Sequence, residues 1–152
     1  MLADCGGGVR VVIPVPLHSS RLRQRGFNQA ELIARGALKS LPGCAMADLQ
    51  LRTGVLRRKR GTDTQTGLTR HQRRENIRGA FEVVRPEEVA GKEVLLVDDV
   101  FTTGTTVSEC AKVLRRAGAE RVLVVTVARV MKGETAPVEA AGPQEAATVS
   151  QA

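Results

Sequence analysis

Apolar positions along the chain change their spacing several times, and each change marks an element. Val9 to Pro16 (VRVVIPVP) is a short β-branched run bounded by glycines and a proline, the pattern of a buried strand. From Asn28 the period lengthens. Ala30, Ile33, Ala34, Ala37, Leu38 and Leu41 fall on one face of a helix, with Asn28 as its N-cap and Pro42-Gly43 as its end. Leu49 to Arg58 predicts a less regular strand, Gly61 to Gly67 (GTDTQTG) a loop, and Thr69 to Ile77 one or two polar helical turns. Ala80 to Val84 reads as a further strand.

Glu93 to Val97 is nearly all apolar, as a parallel strand covered on both faces must be. Thr105 to Ala117 places Val107, Cys110, Ala111 and Leu114 on one helical face, with Gly118 as the stop. Arg121 to Val130 is another buried strand. Strand, helix and strand with short links make a βαβ unit, which requires a right-handed crossover. The expectation is an α/β fold over residues 1–130, a mainly parallel twisted sheet flanked by helices. Residues 131–152 lack apolar periodicity and read as a disordered tail.

The length of 152 residues suits one domain. No apolar run approaches the roughly 20 residues of a membrane-spanning helix. No basic start followed by an apolar stretch marks a signal peptide. The expectation is a cytoplasmic protein without membrane insertion. Cys5, Cys44 and Cys110 are odd in number and lack C-x-x-C spacing, which argues against a disulfide framework or a zinc ribbon. Phe27, Phe81 and Phe101 are the only aromatic residues, too few for a base-stacking platform. His18 and His71 stand alone and read as surface or packing residues.

Charge is uneven. Residues 51–85 carry ten basic and three acidic residues, as much positive excess as the net +7 of the whole chain. Such a run is either a solvated face or a site for a polyanion, whether a polyphosphate or a nucleic-acid backbone.

The chemistry concentrates in Val94 to Thr106, VLLVDDVFTTGTT. Asp98 and Asp99 end an apolar strand, a Thr- and Gly-rich turn follows, and then a helix begins. Ligands dock at the carboxyl ends of strands in open α/β sheets, and a helix N-terminus offers free amides and a positive dipole end. Gly104 lets backbone approach an anion; Thr102, Thr103, Thr105 and Thr106 add hydroxyl donors. The carboxylates could accept hydrogen bonds from sugar hydroxyls or hold waters around Mg²⁺. Read blandly, the same residues are a capped helix after a strand with exposed acids.

This stretch resembles the phosphoribosyl-pyrophosphate (PRPP) signature of type I phosphoribosyltransferases. The resemblance implies that Thr102 to Thr106 hold the 5′-phosphate and Asp98 and Asp99 the ribose hydroxyls, with Mg²⁺ carried mainly by PRPP and water. IPVPL (13–17), RGFNQ (25–29), Thr62-x-x-Gln65-x-x-Leu68 and Arg73-x-x-Asn76-x-x-Gly79-Ala80-Phe81 further resemble the ComF family of competence-associated, phosphoribosyltransferase-like proteins. That family usually opens with a four-cysteine zinc domain. Here the chain starts just before the P-V-P strand, as a short homologue or one with a truncated start would.

Transfer from PRPP expels pyrophosphate through an oxocarbenium-like transition state, so cations are expected near the leaving group. Arg25, placed in the turn after the first strand, is the candidate for that contact. Arg57 to Arg60, leading into GTDTQTG, resemble the mobile loop of the transferases. Arg58, Arg60, Gln65 and Arg73 fall on ComF pattern positions, and Arg58, Gln65 and Arg73 are candidate ligand contacts. Two functions follow, beside a weaker third reading as a purely structural interaction module. One is phosphoribosyl transfer to an acceptor such as a nucleobase, in a protein linked to competence and DNA uptake. The other is non-catalytic binding of PRPP or a nucleotide, with single-stranded DNA held by the basic loop and competence proteins as partners. Assembly as a homo-oligomer is compatible with either.

Overall fold

The residues RVVIP form β1 (Arg10–Pro14), in which β-branched side chains leave four of five positions buried. The computed structural model describes residues 10–43, 48–61, 67–129 and 148–151. Two helices follow β1: α1 (Ser19–Arg25) and α2 (Gln29–Ser40). Asn28 caps α2 as its spacing predicts, with its side-chain oxygen accepting from Ala30 N–H. Its amide nitrogen donates to Val15 O at 3.0 Å, so one residue ties the end of β1 to the start of α2.

α1 is a departure from the expected turn. SSRLRQR has no apolar stripe and buries none of its residues, so periodicity could not reveal it. Local bonds hold it instead: His18 Nδ1 accepts from Ser20 N–H, and Gly26 ends it at φ +78°, donating to Leu22 O.

The single strand expected over Leu49 to Arg58 is two strands in two sheets. β2 (Leu49–Leu51) pairs in parallel with β1, whereas β3 (Leu56–Arg58) pairs antiparallel with β4 (Phe81–Val83). Gly54, at φ +77°, turns the chain between them. The helix expected near Thr69 is α3 (Arg70–Ile77). Its Thr69–Gln72 capping box satisfies its first amides.

β5 (Glu93–Phe101) pairs in parallel with β1 on one side and with β6 (Arg121–Arg129) on the other. It runs four residues past the expected end at Val97, because its backbone ladder with β6 continues through Phe101↔Arg129 whatever the side chains are. α4 (Thr105–Arg116) makes the crossover from β5 to β6. The expected tail falls mostly outside the described residues. Its last part differs from the expectation: β7 (Thr148–Gln151) adds antiparallel to β6, giving the order β2-β1-β5-β6-β7.

Both faces of the sheet are covered. On one, Val11, Ile13, Val94, Leu96, Val122 and Val124 pack with Val107, Cys110, Ala111 and Leu114 of α4, together with Ile77 of α3 and Phe81 of β4. On the other, Val12 and Val97 pack against Ala34, Ile33 and Leu38 of α2. Each fully buried aliphatic side chain contributes about 1.5–3 kcal/mol, so this core holds the strand ends in fixed relation. Among the described residues no helix is long and apolar enough to cross a membrane.

Candidate functional site

The end of β5 sets two carboxylates side by side. Asp99 N–H donates to Asp98 Oδ1 at 2.9 Å, and Val100 N–H to Asp99 Oδ1 at 2.8 Å. Burial pushes the Asp98 carboxyl up to about 7; hydrogen bonding to the Asp99 side chain and its like charge push the same way, against the Asp99 amide. Asp98 therefore holds a proton near neutrality that its neighbour does not favour losing.

Beyond the acids the chain turns through residues 102–104. Gly104 has φ +72°, and a Cβ there would sit 2.7 Å from Phe101 Cζ. Two constraints thus demand glycine: a left-handed backbone and a phenyl ring packed against it. α4 starts at Thr105 without a side-chain cap, so its first-turn amides are not satisfied by a cap. Thr103 and Thr105 hydroxyls meet at 2.9 Å. Amides, hydroxyls and the positive dipole end together form an anion cradle.

Two concavities share this strand end. A small cup of about 30 Å³ is lined by Asp98, Thr102 to Thr106, and Arg73 of α3. A larger cleft of about 240 Å³ is lined by Asp98, Asp99, Thr102 and Thr106, with Arg21 and Arg25 of α1 and Arg58 of β3. Burial, then the nearby Arg21 cation, lower the Arg58 pKa. Its guanidinium carbon lies 5.5 Å from the centre of the Phe81 ring.

The structure brings together almost every residue singled out from the sequence. Asp98, Thr102 and Thr106 line both concavities; Thr103, Gly104, Thr105 and Arg73 line the cup; Asp99, Arg25 and Arg58 line the cleft. Gln65 lies outside the described residues, as do Cys5 and Cys44. Two positions need correction. Arg25 is the last residue of α1 rather than part of a turn, and Arg58 is on a paired strand rather than a mobile loop. Arg21 was missed as a site residue. Its four-residue spacing from Arg25 would have placed both on one face, had α1 been foreseen.

Part of the basic run is ion-paired or hydrogen-bonded locally. Arg57 and Lys59 both pair with Glu82, Arg52 and Arg85 with Glu88, and Arg60 donates to Arg78 O at 2.6 Å. His18 serves as a helix cap, and Cys110 is buried in the core, its thiol pushed up by burial. Among the described residues no group of three or more His, Cys, Asp or Glu side chains converges on a metal position.

Residues 24–142 match the family described as "Phosphoribosyl transferase domain". The chain is 39% identical over 119 residues to Competence protein F of Haemophilus influenzae, covering 78% of this chain and 49% of that protein. It is 41% identical over 120 residues to DNA utilization protein YhgH of Salmonella typhimurium, covering 79% and 49%. Competence protein ComFC of Streptococcus pneumoniae is 29% identical over 117 residues, covering 77% and 47%. The chain spans about half the length of these relatives.

Proposed function

Because the chain belongs to the phosphoribosyl transferase domain family, we propose that its cleft binds PRPP and that the protein acts in DNA uptake or utilization. The competence and DNA-utilization names of its relatives support the second half of this reading and agree with the ComF resemblance. One observation carries the first half. Paired carboxylates, an anion cradle and four arginines line two concavities that share Asp98, Thr102 and Thr106 at the carboxyl end of the central strand.

Each part of PRPP has a counterpart. The cradle of Thr102 to Thr106 takes the 5′-phosphate, and Asp98 and Asp99 accept from the ribose hydroxyls. Arg21, Arg25 and Arg58 face the diphosphate, where they stabilise the negative charge that grows as the bond from C1 breaks. The side chains suit Mg²⁺ held by ligand phosphates and water, with Asp98 and Asp99 reached through that water, rather than a cage of protein ligands. When bound, the ion would supply further neutralisation of the diphosphate.

Calorimetry of PRPP with Mg²⁺, run beside an assay of pyrophosphate release with nucleobase acceptors, tests both levels of this reading. Binding with turnover supports a transferase. Binding without turnover supports a PRPP-responsive protein, and absence of binding refutes the assignment. The second reading, contact with single-stranded DNA, is favoured by Arg74 and Arg78, exposed on and just after α3. Its test is DNA affinity that falls steeply as salt rises.

A further inference from the structure

We infer that Arg73 is the phosphoryl-recognition residue of the cup, making the site select a 5-phosphorylated pentose over an unphosphorylated one. The inference rests on the PRPP reading and assigns a role within it. Arg73 reaches the cup from α3, whereas the threonine loop approaches from β5 and α4. Its Nε is buried and has no hydrogen-bond partner. A buried guanidinium donor without an acceptor is costly, and Arg73, which carries it, lines the cup where a ligand would bring acceptor oxygens to its guanidinium.

The surroundings narrow what that ligand is. Besides Arg73, the cup presents threonine hydroxyls, loop backbone and the apolar Ile77, Val100, Phe101 and Val107, with Asp98 as its acid. A phosphomonoester dianion has three terminal oxygens. Loop amides and hydroxyls can engage it from one side, and a guanidinium adds charge-assisted bonds from the other. The diphosphate end of the same ligand lies in the cleft with Arg21, Arg25 and Arg58. The two anionic ends are therefore read by different arginines.

Arg73 is held firmly enough to discriminate. The Thr69–Gln72 capping box fixes the start of α3, and Arg73 N–H donates to Thr69 O at 3.0 Å. Ile77 anchors its end in the core at 2% exposure, and Gly79 N–H donates to Glu109 Oε1 of α4 at 3.1 Å. The helix carrying Arg73 is thereby docked onto the helix whose N-terminus forms the cradle.

The experiment is calorimetric titration of the whole chain with ribose 5-phosphate, PRPP–Mg²⁺ and inorganic pyrophosphate. It compares the unaltered protein with Arg73→Gln, Arg73→Lys and Arg116→Gln, each checked for folding by circular dichroism. Arg73→Gln is expected to weaken ribose 5-phosphate and PRPP by about 10- to 100-fold and leave pyrophosphate affinity unchanged. Arg73→Lys should recover part of the loss, since it keeps the charge without the fork. Arg116→Gln, altering an exposed cation at the far end of α4, should match the unaltered protein. Undiminished ribose 5-phosphate binding by Arg73→Gln overturns the inference and leaves the PRPP reading standing. Equal loss of pyrophosphate also overturns it, showing a general electrostatic effect. An unaltered protein that binds neither sugar phosphate refutes both.

Discussion

Two charged regions of this molecule treat their charges in opposite ways. On the β3–β4 hairpin, Glu82 stands between Arg57 and Lys59, whose hydrogen bonds hold its carboxyl below the usual range. At the end of β5, Asp98 has a second acid as its neighbour and is partly removed from water, so its carboxyl is raised. The hairpin gives two of its cations a shared carboxylate. The strand end keeps like charges together, a disfavoured arrangement that hydroxyl donors or a bridging cation can relieve. Charge density alone draws attention to the basic run, yet the proposed PRPP site lies at the strand end, where two acids stand together.

Attacking the strand end should give the largest effect. The Asp98→Asn, Asp99→Asn variant is expected to lose PRPP binding, by more than about 100-fold, while circular dichroism shows the fold retained. Calorimetry checks this, and unaltered affinity would break the comparison. Next is pH. Diol recognition needs ionised carboxylates, so PRPP affinity should rise about tenfold from pH 6 to pH 8 as the raised Asp98 loses its proton. Stability should move the other way. Because the folded protein holds that proton more tightly than the unfolded chain, the contribution of Asp98 is present below its ordinary pKa. It is lost as pH rises from about 4 toward 7. Denaturant titrations across this window should show the decline, and Asp98→Asn should flatten it.

A smaller effect is expected at Gly104. Alanine there must accept φ +72° and displace the Phe101 ring, costing about 1–3 kcal/mol of stability and weakening PRPP binding through the distorted loop. Urea unfolding and calorimetry measure the two losses. The smallest effect belongs to the hairpin. Glu82→Gln should leave PRPP affinity within about twofold, since an exposed ion pair that does not line the cleft contributes little to either state. Should it also raise affinity for single-stranded DNA, the freed Arg57 and Lys59 would be part of a nucleic-acid surface.

Legibility followed the physics of each element. β1, α2, α4 and β6 announced themselves because each buries a face, and burial imposes a period of apolar residues. α1 buries no residue and leaves no such trace. β2 and β3 are three residues each, too short for a period to distinguish one strand from two. β7 is a short polar segment whose strand state depends on the edge offered by β6. The strand order, with β1 and β5 adjacent though 83 residues separate Arg10 from Glu93, depends on contacts that local patterns do not encode.

The site divides along the same line. Asp98 through Thr106 occupy nine consecutive positions, so chain connectivity alone keeps the acids beside the threonine turn, and reading the residues in order was enough to find them. Arg21 and Arg25, Arg58, and Arg73 come from three elements spread over about fifty residues. Only the tertiary structure decides that their cations line the same concavities as that turn: Leu56 and Ile77 set β3 and α3 in the shared core, and α1 follows directly on β1 where that strand leaves the sheet.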